Sequence, residues 1–470
     1  MGRNKFQERQ HILELVIRFE DPAQRGTTAA MEEGDFLTLI KYFQDEALPS
    51  RAMHVVDTAI DRYRQSSRFY LRKADLLIDN RQEELAMLAL ERAQHFDDDN
   101  TPELLRLRVR ALSRLEQYDT ALDVVERLKQ TEDKAILCGA YHAEALVYYD
   151  MKQYERAFFS LKQALDYQAD NQEVLSTIWL CVEMSRRHEE SVALHEALLE
   201  DHPYTAVAWY NLGQSYQYLC EYDKAMHALE TAFLIDEQFE YAYRECAEIC
   251  LFTQHYAEAL KCYQGLLDNF GPDYLTLFNM GKCSFHLGNY ALAKTFLDQA
   301  LAIDPYEDEV HFYIGQCYAR CEDYPRAIAK YREAIEIEEQ REEYYAALAE
   351  VYYKLRQFER ADTYFEEATT VGPEFSEYWI RYALFKVEMG EDEAALEQLD
   401  MADCNCGAPE LHYARVAVLL QIDRRAEGLE VLGEALLHDY SMHAHLFDLM
   451  PCLREDKEVK ALVKAFEPYE

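Results

Sequence analysis

Glycine and proline are scarce in this chain, 15 and 11 of 470 residues, which leaves little room for long flexible linkers. Positive charge is short as well. Against 88 Asp and Glu stand 48 Lys and Arg, a formal net charge of -40. Nucleic acid and anionic lipid are bound by neutralising phosphates, so neither is an expected partner, and this balance favours basic ones. The plainer reading of the acidic excess is that it solvates outer helix faces. Membrane insertion is not expected, because nothing approaches the roughly 18 consecutive apolar residues of a spanning helix. Residues 12–19 are apolar but broken by Glu14 and Arg18, so no signal-peptide core is expected in residues 1–24. Position 6 is Phe6, where a myristoylation signal carries Ser or Thr. The 12 cysteines show no disulfide-framework spacing, and most lie inside apolar helical patterns. They read as small, reduced, unligated core residues in a reducing compartment, which makes a cytoplasmic protein the simplest expectation.

Motifs that carry chemistry are missing too. His188-Glu189 and His195-Glu196 lack the second histidine of a H-E-x-x-H zinc site. No phosphate-binding loop of the G-x-x-x-x-G-K-[ST] type and no G-x-S-x-G elbow is present. Asp97-Asp98-Asp99-Asn100 starts like a calcium loop but lacks the central Gly and late Glu, so an inter-repeat turn is expected there. Cys404-x-Cys406 and the i, i+4 pairs Cys246/Cys250 and Cys317/Cys321 offer two sulfurs each, where a metal takes about four ligands. No enzyme activity, metal or cofactor is expected.

What the chain has is a repeat. Trp209, Leu212, Gly213, Tyr216, Ala225, Leu229 and Ala232 form a spaced set. Shifted by 34 residues the set becomes Tyr243, Cys246, Ala247, Cys250, Ala259, Tyr263 and Leu266, then Leu277, Met280, Gly281, Ser284, Ala293, Leu297 and Ala300. Copies at His311, Tyr345 and Trp379 keep the frame, and weaker ones run upstream to Phe36. Starts near 33, 67, 102, 138, 172, 206, 240, 274, 308, 342, 376 and 409 give about twelve repeats, the last with Gly428 where Ala is expected. Small residues mark close helix approach and large ones fill between helices. A helix pair that is apolar on more than one face must stack on its neighbours. The domain expectation is an N-terminal helix over residues 5–18 with a linker over 21–33, together forming a cap over 1–32. A repeat array over 33–442 and capping helices over 443–470 follow, with a final helix over 455–466.

The spaced set resembles the tetratricopeptide-repeat (TPR) pattern Trp-x2-Leu-Gly-x2-Tyr, followed by Ala, Phe, Ala and a closing Pro such as Pro305 or Pro373. The resemblance implies an all-α fold, two antiparallel helices per repeat wound into a right-handed superhelical solenoid. It implies a non-catalytic scaffold or adaptor that binds a protein or peptide partner. Alternatives are a self-assembling structural solenoid or a non-catalytic subunit of an enzyme complex. The identity of the partner and the oligomeric state do not follow. The family's groove-lining first-helix positions fall on Tyr210, Gln214, Arg244, Phe278, Lys282, Phe285, Phe312, Gln316, Arg320 and Tyr353. Aromatic anchors beside the cations Arg244, Lys282 and Arg320 would suit a segment bearing a carboxylate next to an apolar side chain. The competing reading is that Glu248, Glu309 and Glu350 neutralise the cations and the aromatics pack between repeats. Of the family's carboxylate clamp, Arg244 and Asn279 fit, whereas Glu248, Glu309 and Tyr313 do not. Of its asparagine ladder only Asn211 and Asn279 are present.

Overall fold

The computed structural model describes residues 2–20, 31–96 and 101–467, and among these every regular element is a helix. The linker expected over 21–33 and the Asp97–Asn100 turn lie wholly or mostly outside the described residues. Two compact units divide the chain, Met1–Ala242 and Tyr243–Glu470.

The first unit opens with α1 (Gly2–Glu20), longer than the expected 5–18. Helix pairs follow: α2 (Glu33–Asp45) with α3 (Pro49–Arg62), α4 (Ser67–Asp79) with α5 (Glu83–Phe96), and α6 (Pro102–Arg114) with α7 (Tyr118–Leu128). Next come α8 (Lys134–Asp150) with α9 (Tyr154–Tyr167), α10 (Gln172–Ser185) with α11 (His188–Asp201), and α12 (Ala206–Tyr218) with α13 (Tyr222–Ile235). The boundary between units falls inside α14 (Glu240–Phe252), which pairs with α15 (Tyr256–Phe270). The second unit continues with α16 (Tyr274–His286) and α17 (Tyr290–Ile303), α18 (Asp308–Arg320) and α19 (Tyr324–Ile337), then α20 (Glu342–Lys354) and α21 (Phe358–Val371). It ends with α22 (Ser376–Glu388) and α23 (Asp392–Asn405), α24 (Glu410–Gln421) and α25 (Arg425–His438), α26 (Ala444–Leu449) and α27 (Lys457–Ala465). The last helix starts two residues later than the expected 455, because Asp456 caps it by accepting from the amides of Glu458 at 3.0 Å and Val459 at 3.2 Å.

One turn chemistry closes the first helix of each pair from α2 with α3 to α24 with α25. Ala47, Arg81, Glu116, Lys152, Arg186, Cys220, Gln254, Gly288, Glu322, Arg356, Gly390 and Asp423 all have positive φ. The amide after each reaches back to the carbonyl five residues earlier, as in Gln153 to Tyr148 at 2.8 Å and Gln357 to Tyr352 at 2.9 Å. This is the left-handed C-terminal cap that satisfies carbonyls left open by the helix end. Between repeats a second local bond recurs. The indole nitrogens of Trp209 and Trp379 donate to the carbonyls of Pro203 and Pro373, six residues earlier, at 2.8 and 3.0 Å.

Packing follows the small residues. Ala225, Ala259, Ala293, Ala327 and Ala361 are fully buried on the second helix of their pairs. Glycine is needed where the helices approach most closely: a Cβ built on Gly315 would lie 2.6 Å from the Tyr331 ring. Within each unit, each pair packs against the next in sequence.

Candidate functional site

In the second unit the first helices of four successive pairs line one cavity of about 480 Å3. Helix α16 supplies Phe285 and His286, α18 supplies Phe312, Tyr313, Gln316 and Arg320, and α20 supplies Glu343 and Glu350. Glu377, Tyr378 and Arg381 of α22 complete it. Residues one helical turn apart, such as Phe312, Gln316 and Arg320, share a helix face, which is why the 34-residue frame aligns them along one wall.

Four of the expected site residues, Phe285, Phe312, Gln316 and Arg320, therefore meet in this cavity. Their burial is uneven. Phe278, Phe285 and Phe312 are only 6, 8 and 8 % exposed. Phe312 packs on Tyr344 at 4.7 Å and Tyr331 at 5.6 Å between ring centroids, so packing between helices already occupies most of its surface. Lys282 holds its ammonium 5.1 Å from the Phe278 centroid and 5.4 Å from that of Tyr313, which carries the cation to the cavity edge. Among the described residues, neither Lys282 nor the exposed Arg320 has a carboxylate within 4.0 Å.

Two of the three carboxylates weighed as neutralisers have other partners. Glu309 pairs with Arg341 at 3.2 Å and Glu350 with Arg381 at 2.7 Å. Burial raises the Glu343 pKa above the usual carboxylate value, with the Arg341 charge opposing the shift. Burial, helped by neighbouring carboxylates, pushes the Tyr313 and Tyr378 phenols up to about 12. Both stay neutral hydrogen-bond donors at physiological pH.

The remaining expected residues lie elsewhere. Arg244 faces Asp273 at 3.4 Å. Burial alone would raise the Asp273 pKa, but hydrogen bonds from Thr276 and the Arg244 charge hold it below its ordinary value. Tyr353 donates its hydroxyl to Glu388. In the first unit, Tyr210 stacks at a tilt on Phe239 with centroids 4.9 Å apart. Gln214 keeps its buried amide nitrogen without a hydrogen-bond partner among the described residues. The two asparagines of the family patterns are spent internally, Asn279 donating to the Tyr263 hydroxyl at 3.0 Å and Asn211 to the Leu175 carbonyl at 2.7 Å.

Two features escaped the sequence. Glu343 and Arg381 join the cavity from positions that had not been singled out, Glu343 on the same helix as Tyr353. Cys262 joins Cys246 and Cys250 in a buried trio, 16 residues from the first and on the opposite helix of the pair. The signal was available, since all three fall at core positions of one repeat copy.

Tetratricopeptide-repeat models match residues 139–171, 206–239, 251–308, 284–351 and 342–374. No curated protein matches significantly. Similar solved structures include YrrB, a TPR protein with an unusual peptide-binding site. It is 17% identical over 39% of this chain and 95% of its own, with a TM-score of 0.34. They also include the APC/C hetero-tetramer Cut9-Hcn1, 14% identical over 85% of this chain and 98% of that one, with a TM-score of 0.37. A tetratricopeptide repeat protein from Parabacteroides merdae is 16% identical over 56% and 98%, with a TM-score of 0.34. At these scores the likenesses carry no argument about arrangement or function. No helix among the described residues is long and apolar enough to cross a membrane. On its recurring helix pairs and the matched repeats, the chain belongs to the tetratricopeptide-repeat family.

Proposed function

We propose that the protein is a non-catalytic interaction scaffold whose second unit holds a segment of a partner protein in the first-helix cavity. The observation that carries this reading is the meeting of Phe285, Phe312, Gln316 and Arg320, from two helices, in one cavity beside a cation on an aromatic ring. The segment bears a carboxylate next to an apolar side chain. Arg320 takes the carboxylate by charge-assisted hydrogen bonds, and Lys282 adds a second positive charge. Tyr313 and the accessible parts of Phe285 and Phe312 receive the apolar group. Phe278 supports this wall by packing on Tyr313, Arg244 and Tyr353 extend the contact outside the cavity on the first helices α14 and α20, and Tyr210 with Gln214 serves a corresponding contact in the first unit. The net charge of -40 opposes such a ligand at long range. Contact distances are shorter than the Debye length of about 8 Å at physiological salt, so the local cations decide the bound state. Nucleic acid and membrane lipid are not partners in this reading, and the setting is cytoplasmic.

The test is affinity capture from native cell extract with the full chain and the double variant Lys282→Glu, Arg320→Glu. A partner held by the wild type is expected to be lost by the variant, while the thermal midpoint stays nearly unchanged. Equal capture by both proteins would place the interaction on another surface.

A further inference from the structure

Cysteine replaces the usual packing residue at three core positions of a single repeat copy. Where this copy has Cys246, Cys250 and Cys262, the preceding one has Leu212, Tyr216 and Ala228, and the following one Met280, Ser284 and Phe296. Cys246 and Cys250 lie one turn apart on α14, and Cys262 faces them from α15. The three are 3, 1 and 7 % exposed. Their sulfur atoms all lie within 4.8 Å of one another, with Cys246 and Cys262 3.6 Å apart. No other triad of metal-ligating side chains comes this close among the described residues.

We propose that Cys246, Cys250 and Cys262 form a three-coordinate thiolate site for one soft monovalent cation, Cu(I). Three sulfurs around a metal at bonds of about 2.3 Å would sit about 4 Å apart, which falls between the 3.6 Å of the Cys246–Cys262 pair and the 4.8 Å that bounds the trio, so only small side-chain adjustments are needed. Thiolates select soft cations such as Cu(I) and Zn(II) over hard ones. Zinc in closed sites takes four ligands. Among the described residues no carboxylate or imidazole belongs to the cluster to supply the fourth, and that decides for Cu(I). Each thiolate that ligates has released its proton to solvent, so affinity rises with pH. No change of copper oxidation state is involved.

The neighbouring repeats supply the control. Cys246→Leu, Cys250→Ser, Cys262→Ala installs side chains that homologous positions already hold. The reduced, metal-free full chain and this triple variant are titrated without oxygen with Cu(I) against the chelator bathocuproine disulfonate. The wild type is expected to bind one equivalent more than the variant, with helicity equal by circular dichroism and three sulfur neighbours by X-ray absorption. The single variant Cys250→Ser, which disturbs packing least, is expected to weaken binding at least tenfold. Equal uptake by wild type and both variants overturns the proposal. So does a wild type that keeps one zinc, absent from the triple variant, when Cu(I) is supplied at equal concentration.

Discussion

His195 sits in a polar cluster inside the first unit, where Ser191, Asn211 and Ser215 are also at most 1 % exposed. Its Nδ1 lies 2.8 Å from the Ser191 carbonyl, and its Nε2 lies 3.3 Å from the amide nitrogen of Asn211. A carbonyl requires a proton on Nδ1, and an amide donor requires a bare Nε2, so the ring is the neutral Nδ1–H tautomer. Burial drives its pKa down to about 4, against a smaller opposing effect of the Ser191 bond. The unfolded chain would protonate this histidine near its ordinary value of about 6.5. Below that value the unfolded state binds more protons than the folded one. The stabilisation is thus complete above pH 6.5 and declines as pH falls towards 4. Between pH 7 and 5 the loss is about 2 kcal/mol from this one residue. Urea midpoints of wild type and His195→Gln at the two pH values check it: the wild type should lose more stability than the variant. Equal losses would mean that the ring is not held neutral. The sequence offered only a His-Glu doublet here, because its meaning depends on Asn211, which the fold brings across from the next helix.

At the scale of the helix pair, the recurring left-handed residue is the strained point. Only Gly288 and Gly390 among the twelve lack a Cβ; the other ten residues pay the steric cost of positive φ. Lys152 is exposed at this position, with φ of 59°. Lys152→Gly should stabilise the protein by about 0.5–1 kcal/mol, the relief of roughly 1–2 kcal/mol being partly offset by the greater freedom of an unfolded glycine. Gly390→Ala should destabilise it by a similar amount, and thermal midpoints of both variants measure the pair of effects. The helix pairs themselves were legible in sequence because Ala225, Ala259 and Ala293 recur in phase and each is fully buried. The left-handed caps were not, because their side chains face solvent and vary from Arg to Cys to Asp. Their conformation is imposed by the backbone bonds that close the helix. The cavity was legible in the same measure: frame aligns Phe312, Gln316 and Arg320, but frame alone does not say that Phe312 is mostly consumed by Tyr344 and Tyr331.

For the whole molecule the governing quantity is charge. The excess of 40 acidic side chains must lie largely on exposed helix faces, where like charges repel in the folded state more than in an expanded chain. Ion pairs oppose this. Arg425 bridges Asp456 at 2.8 Å and Glu458 at 2.7 Å, and Arg381 bridges Glu350 at 2.7 Å. These pairs are partly exposed, and such pairs contribute about 0–1 kcal/mol each. Added salt screens both effects, but it does not screen them equally. Paired groups in contact keep much of their attraction, whereas repulsion across the surface acts over longer distances. The Debye length falls from about 30 Å at 0.01 M to about 3 Å at 1 M, so the long-range term is lost first. The thermal midpoint should therefore rise by several degrees between 20 mM and 500 mM potassium chloride, measured by circular dichroism at pH 7.5. At that pH His195 is neutral in both states and contributes no slope. A midpoint that falls with salt would show that the ion pairs outweigh the repulsion. The acidic excess would then be arranged in compensated networks instead of spread over the outer faces.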